Sequence, residues 1–129
     1  MNRIKLLPIE YLKPHEKVNP RNLAKVKAEI MSADCFTEPI VVDRRHYIIL
    51  DGHHRTKILK SLGYSKIPVL LVDYLDEKIK VVSRRKNRPV KKESIIYNAL
   101  LGKLFPYKTS RHLIPNRPKH FKINLNKLT

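Results

Sequence analysis

The chain has 129 residues, 42% of them hydrophobic, and a formal net charge of +17. Its length and hydrophobic content suit one compact domain, residues 1–129, and argue against wholesale disorder. No apolar run approaches the roughly 20 residues that cross a bilayer, and the basic N-terminus lacks a signal-peptide apolar stretch, so we expect no membrane partner. With Cys35 as its single cysteine the chain has no internal disulfide, and we expect a cytoplasmic protein.

The positive charge is concentrated towards the C-terminus. No acidic residue follows Glu93, whereas seven cationic residues do. This imbalance predicts an anionic partner, which could be nucleic acid, an anionic membrane surface or a nucleotide. The charge alone does not choose among the three.

The first elements of the chain alternate strand, loop and helix. Residues 3–7 alternate in hydrophobicity and predict an opening strand that ends at Pro8. Residues 12–16 form a proline-marked loop. Asn19 and Pro20 then predict a helix start, because they supply a capping side chain and a proline for the first turn. The apolar face of this helix is formed by residues at helical spacing, Leu23, Val26 and Ile30.

A predicted hairpin occupies the next part of the chain. Residues 39–42 and 47–50 are apolar runs that bracket the polar turn 43–46. The second run ends in Asp51-Gly52, a short helix follows, and Gly63 ends it. Residues 67–73 are apolar almost throughout and predict a buried strand, and residues 79–82 predict a further one.

The stretch Asp51-Gly52-His53-His54-Arg55 is the main candidate site. A strand that turns into a helix through a glycine places free backbone N–H groups and the positive end of a helix dipole at one point, which suits phosphate. Asp51 can hold a cation, and the three residues after Gly52 can donate to phosphoryl oxygens. The alternative interpretation is a β-turn with a solvated basic edge.

The remaining third of the chain holds a basic connector, a helix and a basic tail. The connector, about residues 83–92, is either a solvated linker or a flap that faces phosphate. A helix with one apolar face follows and ends at Gly102. In the tail, Thr109, Ser110, Arg111 and His112 could close over nucleotide phosphates or over an acceptor carboxylate. The alternative there is an ordinary basic tail, with residues 123–125 as an edge strand.

Three stretches together resemble the ParB/sulfiredoxin-like superfamily: residues 13–16, residues 50–55 with the helix after them, and residues 66–69 before an apolar strand. Sulfiredoxins carry a catalytic cysteine in the central motif, where this chain has histidine. The closer resemblance is to archaeal free L-serine kinases, which share a terminal segment similar to residues 108–112. The resemblance implies an α+β fold: one ParB/sulfiredoxin-like domain with a small mixed sheet and flanking helices.

This resemblance also implies an activity. It is the transfer of a phosphoryl group from ADP or ATP to the hydroxyl of free L-serine, giving O-phosphoserine. Glu16 would be the base beside the acceptor hydroxyl, and Asp51 would contact Mg²⁺. The nucleotide would be bound by Gly52, His53, His54 and Arg55, and by Thr109, Ser110, Arg111 and His112 from the terminal segment, about residues 106–129.

A second function stays open at this point. A ParB-like nucleic-acid-binding protein or nuclease would also explain the net charge of +17. However, the residues after Asp76 contain one convincing helix, so a recognition helix for base readout has no obvious counterpart. The sequence leaves open the choice between ADP and ATP, and whether the protein is a monomer or a small homo-oligomer.

Overall fold

The computed structural model describes residues 3–129, which form three α-helices and eight short strands. The helices are α1 (Pro20–Ala33), α2 (His53–Ser61) and α3 (Lys92–Leu101). The strands are β1 (Arg3–Pro8), β2 (Cys35–Phe36), β3 (Ile40–Asp43), β4 (Ile49–Asp51), β5 (Lys66–Val72), β6 (Lys80–Ser83), β7 (Ser110–Leu113) and β8 (Ile123–Asn124).

Four strands form a mixed central sheet in the order β1-β5-β3-β4. Strands β3 and β4 are an antiparallel hairpin, β3 lies parallel to β5, and β1 pairs antiparallel with β5. Two smaller antiparallel pairs, β2 with β8 and β6 with β7, lie outside this sheet. The predicted α+β fold with a small mixed sheet and flanking helices is therefore confirmed.

The sheet is buried on both faces. On β3 the residues Ile40, Val41 and Val42 are all fully buried, because alternate side chains enter two different apolar clusters. One cluster includes Ile58 and Leu59 of α2, and the other includes residues of α3. Full burial of each such side chain contributes about 1.5–3 kcal/mol, so the sheet and its helices form one stable support.

The predicted helix ends are confirmed at both α1 and α3. The Asn19 side chain accepts the Asn22 N–H at 2.9 Å, and Pro20 is the first helical residue of α1. Helix α3 ends at Gly102, whose φ of 71° is the left-handed conformation that glycine adopts without strain. Local sequence signals therefore set the start of α1 and the end of α3.

Three differences from the predicted strands exceed a shift of one residue. Strand β4 begins at Ile49 rather than at residue 47, because Tyr47 lies in the turn with φ of 57°. Strands β2 and β7 were not predicted; β2 forms by pairing with β8, and β7 by pairing with β6. The single cysteine, Cys35, is buried. Among residues 3–129 there is no helix with the length and apolarity that a membrane crossing requires.

Candidate active site

The turn from β4 into α2 is built around Gly52. Its φ is +110°, and a Cβ added there would lie 2.3 Å from Ile40 Cγ2. No side chain caps α2 at this end. The first amide N–H groups of α2 are therefore left for another acceptor, and together with the helix dipole they make an anion-binding point.

His53 and His54 hold the early loop against this helix. His53 Nε2 accepts the backbone N–H of His15 at 3.2 Å, and His54 Nε2 accepts that of Asn19 at 3.1 Å. Burial lowers the pKa of both imidazoles, and neighbouring histidines lower that of His53 further. Because Nε2 of each ring is an acceptor, Nδ1–H is the ring group left to donate to a phosphate. Through the same two hydrogen bonds, both histidines position the loop that carries Glu16.

The Glu16 carboxylate is half-buried and held by the start of β7. Its Oε1 accepts the N–H of Thr109 at 3.2 Å, the N–H of Ser110 at 3.0 Å and the Ser110 hydroxyl at 3.1 Å. Burial raises the pKa of Glu16, and the bonds from Ser110 and Thr109 oppose part of that rise. Backbone hydrogen bonds of 2.8 Å between Phe105 and both His15 and Lys17 fasten the same loop to the tail.

The predicted group Thr109–His112 divides into exposed and buried members. Thr109 is fully buried and its hydroxyl donates to the Pro106 carbonyl, so only its N–H reaches Glu16. His112 is also buried, and its Nε2 lies 2.7 Å from the Tyr74 hydroxyl oxygen, within hydrogen-bond distance. Burial lowers the pKa of His112 to about 3, so the ring is neutral at pH 7. Ser110 and Arg111 are the members that present polar atoms to solvent.

Asp51, at the end of β4, is paired with arginines. Its Oδ2 lies 2.7 Å from Nη2 of Arg117 and 3.7 Å from Nη2 of Arg55. Burial alone would raise the pKa of Asp51, but the charges of Arg55 and Arg117 and the Arg117 hydrogen bond outweigh it, and the pKa is lowered. Arg117 also lies 3.7 Å from the Glu38 carboxylate. Sequence reasoning missed Arg117, which carries no local signal and lies 66 residues from Asp51.

These groups line one cleft with a volume of about 600 Å³. Every predicted site residue lines it except Thr109, which lies behind it. The lining also contains residues that had not been assigned to the site: Arg84, Tyr107, Lys108 and Arg117. The Glu16 carboxylate and the uncapped N-terminus of α2 therefore belong to the same cleft, and the terminal segment closes one side of it.

Residues 1–87 match the model of the ParB N-terminal domain. The chain belongs to the ParB N-terminal domain family. The match covers the early loop, the hairpin and α2, which are the elements that form the Gly52 turn and carry Glu16. The donors that hold Glu16, at residues 109 and 110, lie beyond it.

Among curated relatives, an ATP-dependent L-serine kinase of Staphylothermus marinus is 36% identical over 80 residues, or 59% of this chain and 32% of that protein. A ParB-like protein of Sulfolobus acidocaldarius is 39% identical over 89 residues, or 69% and 43%. The matches thus span about a third to two-fifths of those relatives. A solved free serine kinase in complex with AMP superimposes with a TM-score of 0.89 at 16% identity, over 98% of this chain and 93% of that one, which shows a shared fold.

Proposed function

We propose that this ParB-family protein is a small-molecule kinase that transfers a phosphoryl group from ATP or ADP to the hydroxyl of free L-serine. The observation that carries the proposal is that the Glu16 carboxylate lines the same cleft as the uncapped N-terminus of α2. The name of the Staphylothermus relative, ATP-dependent L-serine kinase, supports the same reaction. We also propose that residues 1–129 act as one unit in the cytoplasm.

The α2 side of the cleft suits the phosphates of the donor. Amide N–H groups after Gly52 meet phosphoryl oxygens at the positive end of a helix dipole. Arg55 and Arg117 lie beside them, and arginine binds phosphate in a bidentate manner. Phosphoryl transfer depends mainly on positioning and on neutralisation of oxygen charge, which these groups provide.

The Glu16 side of the cleft suits the acceptor. Oε1 is fixed by its three hydrogen bonds, so Oε2 takes the proton. The serine O–H bond breaks while its oxygen forms the new bond to phosphorus, and the nucleotide leaves with the electron pair. A raised pKa makes Glu16 a better base than an exposed glutamate, and such catalysis contributes about 10²–10⁴ in rate. Arg84, Lys108 and Arg111 are available for the serine carboxylate.

The residues fit a Mg²⁺ ion only if the nucleotide helps to bind it. No group of three or more His, Cys, Asp or Glu side chains within residues 3–129 could hold a metal alone. Asp51 presents one carboxylate, and the contacts from Arg55 and Arg117 both fall on Oδ2. One carboxylate plus phosphates and waters is a common magnesium environment. When bound, the ion would neutralise charge on the phosphoryl oxygens.

The test is direct. The purified protein is incubated with Mg²⁺, L-serine and either ATP or ADP, and O-phosphoserine is measured by mass spectrometry. We expect product with at least one nucleotide, and much less with the matched Glu16→Gln variant. Absence of product with both nucleotides, together with salt-sensitive binding or cleavage of nucleic acid, would overturn the proposal in favour of the nucleic-acid function.

A further inference from the structure

The Ser110 hydroxyl lies between two hydrogen-bond acceptors. Its Oγ is 3.1 Å from Glu16 Oε1 and 3.2 Å from His15 Nε2. A hydroxyl has one proton, so it can donate to only one of these atoms at a time. The question is therefore which acceptor it serves, and when.

The hydrogen-bond partner of His15 Nδ1 determines whether Nε2 is a donor or an acceptor. His15 Nδ1 lies 2.7 Å from the Ile49 carbonyl oxygen, which can only accept, so Nδ1 carries the ring proton. His15 is 1% exposed, and burial lowers its pKa to about 4. The ring is therefore neutral at pH 7, and Nε2 is a lone-pair acceptor that faces Ser110.

We propose that the Ser110 hydroxyl donates to Glu16 while Glu16 is charged and turns to His15 once Glu16 has taken up a proton, so that His15 sets the basicity of Glu16 through Ser110. This inference rests on the proposed function, in which Glu16 is the base. A carboxylate is a stronger acceptor than a neutral carboxyl group, so the preferred partner changes with the charge. The Ser110 proton stays on its own oxygen throughout, and the substrate proton goes to Glu16 Oε2. Ser110 and His15 are thus positioning residues.

Other charged or titratable groups line the same cleft as Glu16. They are Glu29, Glu38, Asp51, His53, His54, Arg55, Arg84, Tyr107, Lys108, Arg111, His112 and Arg117. All of them remain in the variants below, so a difference between variants reports Ser110 and His15. The pKa values of about 4 for His15 and about 3 for His112 keep both rings neutral above pH 5.

The experiment measures the acidic limb of kcat/KM against pH in two variants that should move it in opposite directions. In Ser110→Ala the carboxylate loses a donor, so the apparent pKa of Glu16 should rise by about one unit. In His15→Asn the amide can still donate to the Ile49 carbonyl, but the acceptor facing Ser110 is gone. Protonated Glu16 is then less stabilised, so the apparent pKa should fall.

Two further variants control for side effects. Ser110→Thr keeps a hydroxyl and should restore the wild-type profile. Ser61→Ala removes a hydroxyl that donates to the Ile58 carbonyl at the end of α2, and should leave the profile unchanged. If His15→Asn does not fold, the Ser110→Ala and Ser110→Thr variants decide. The inference is overturned if the apparent pKa of Glu16 does not rise in Ser110→Ala. It is also overturned if that pKa rises in Ser110→Ala and is equally raised in Ser110→Thr.

A second readout separates this inference from the proposed function. The Glu16 carboxyl is titrated by carbon-13 NMR in the same variants, which requires no turnover. Opposite pKa shifts there without O-phosphoserine formation would support the Ser110 arrangement and reject the kinase. Kinase activity with unshifted or same-direction pKa values would reject the Ser110 arrangement and retain the kinase.

Discussion

The two acids of the cleft are held in contrasting ways. Glu16 is fixed by neutral donors in a half-buried position, and burial raises its pKa. Asp51 is fixed by two arginines, whose charges outweigh burial and lower its pKa. Neutral donors orient a carboxylate at a smaller cost to its basicity than cations do. The environment, rather than the residue type, thus separates an acid suited to accept a proton from one suited to stay charged.

The largest effect should come from Glu16→Gln. The amide can still accept the N–H groups of Thr109 and Ser110, but it cannot take a proton, so we expect kcat to fall by about 10²–10⁴-fold with nucleotide affinity little changed. Steady-state O-phosphoserine assays and calorimetric nucleotide binding measure the two effects. Asp51→Asn, the matched change on the other acid, should instead weaken Mg²⁺-nucleotide binding. Full activity of Glu16→Gln would remove Glu16 from its role without rejecting the kinase.

A stability prediction concerns the Gly52 turn beside Asp51. Gly52→Ala places a methyl group 2.3 Å from Ile40 Cγ2 at a φ of +110°. Overpacking and the left-handed backbone together should lower the free energy of unfolding by roughly 3 kcal/mol or more. Urea denaturation measures this. Gly63→Ala is the matched control, because its φ is +86° but no atom lies within 4 Å, and it should cost about 1 kcal/mol. Equal losses in the two variants would show that the contact with Ile40 does not matter.

As the pH is lowered, the free energy of unfolding should fall first because of the buried histidine His15 and only later because of Asp51. Below pH 6.5 unfolded histidines take up protons, whereas buried His15 does not until about pH 4. The unfolded state therefore binds more protons, and the free energy of unfolding falls across this window, by about 3 kcal/mol for His15.

Glu16, with its raised pKa, contributes with the opposite sign, since its folded form binds protons more readily. The free energy of unfolding is therefore measured against pH in wild type and in Glu16→Gln. Without Glu16, this free energy should fall more steeply on acidification than it does in wild type. The Asp51 contribution, with a lowered pKa, should be lost only below about pH 4. A free energy of unfolding that stays flat from pH 6.5 to 4 in Glu16→Gln would contradict the neutral, buried state of His15.

The smallest predicted effect belongs to Arg117. Arg117→Ala removes a cation from the phosphate side of the cleft, so we expect the nucleotide Kd to rise by about tenfold, as for one charge-assisted hydrogen bond. Isothermal titration calorimetry measures it. Lys119→Ala removes an exposed charge two residues further along and should change Kd by less than about twofold. Equal effects in both variants would mean that Arg117 acts only through general charge.

Much of the fold and part of the site could be predicted because their causes are local. The Asn19-Pro20 helix start, the hairpin turn and the Gly52 turn each depend on a few consecutive residues. The Tyr74–His112 bond and the Arg117–Asp51 pair join residues 38 and 66 positions apart. No local pattern encodes such pairs. For the same reason, His53 and His54 could be placed beside the cleft, while their bonds to the early loop could not be foreseen.

The donors that hold Glu16 come from outside the part of the chain that the family model matches. The family match ends at residue 87, yet the N–H groups that orient Glu16 come from residues 109 and 110. In the proposed kinase, the half of the cleft that would meet the acceptor is thus completed by residues outside the family match, whereas the turn at Gly52 lies within it. A protein that keeps only the matched part of this fold would lack the donors that orient Glu16.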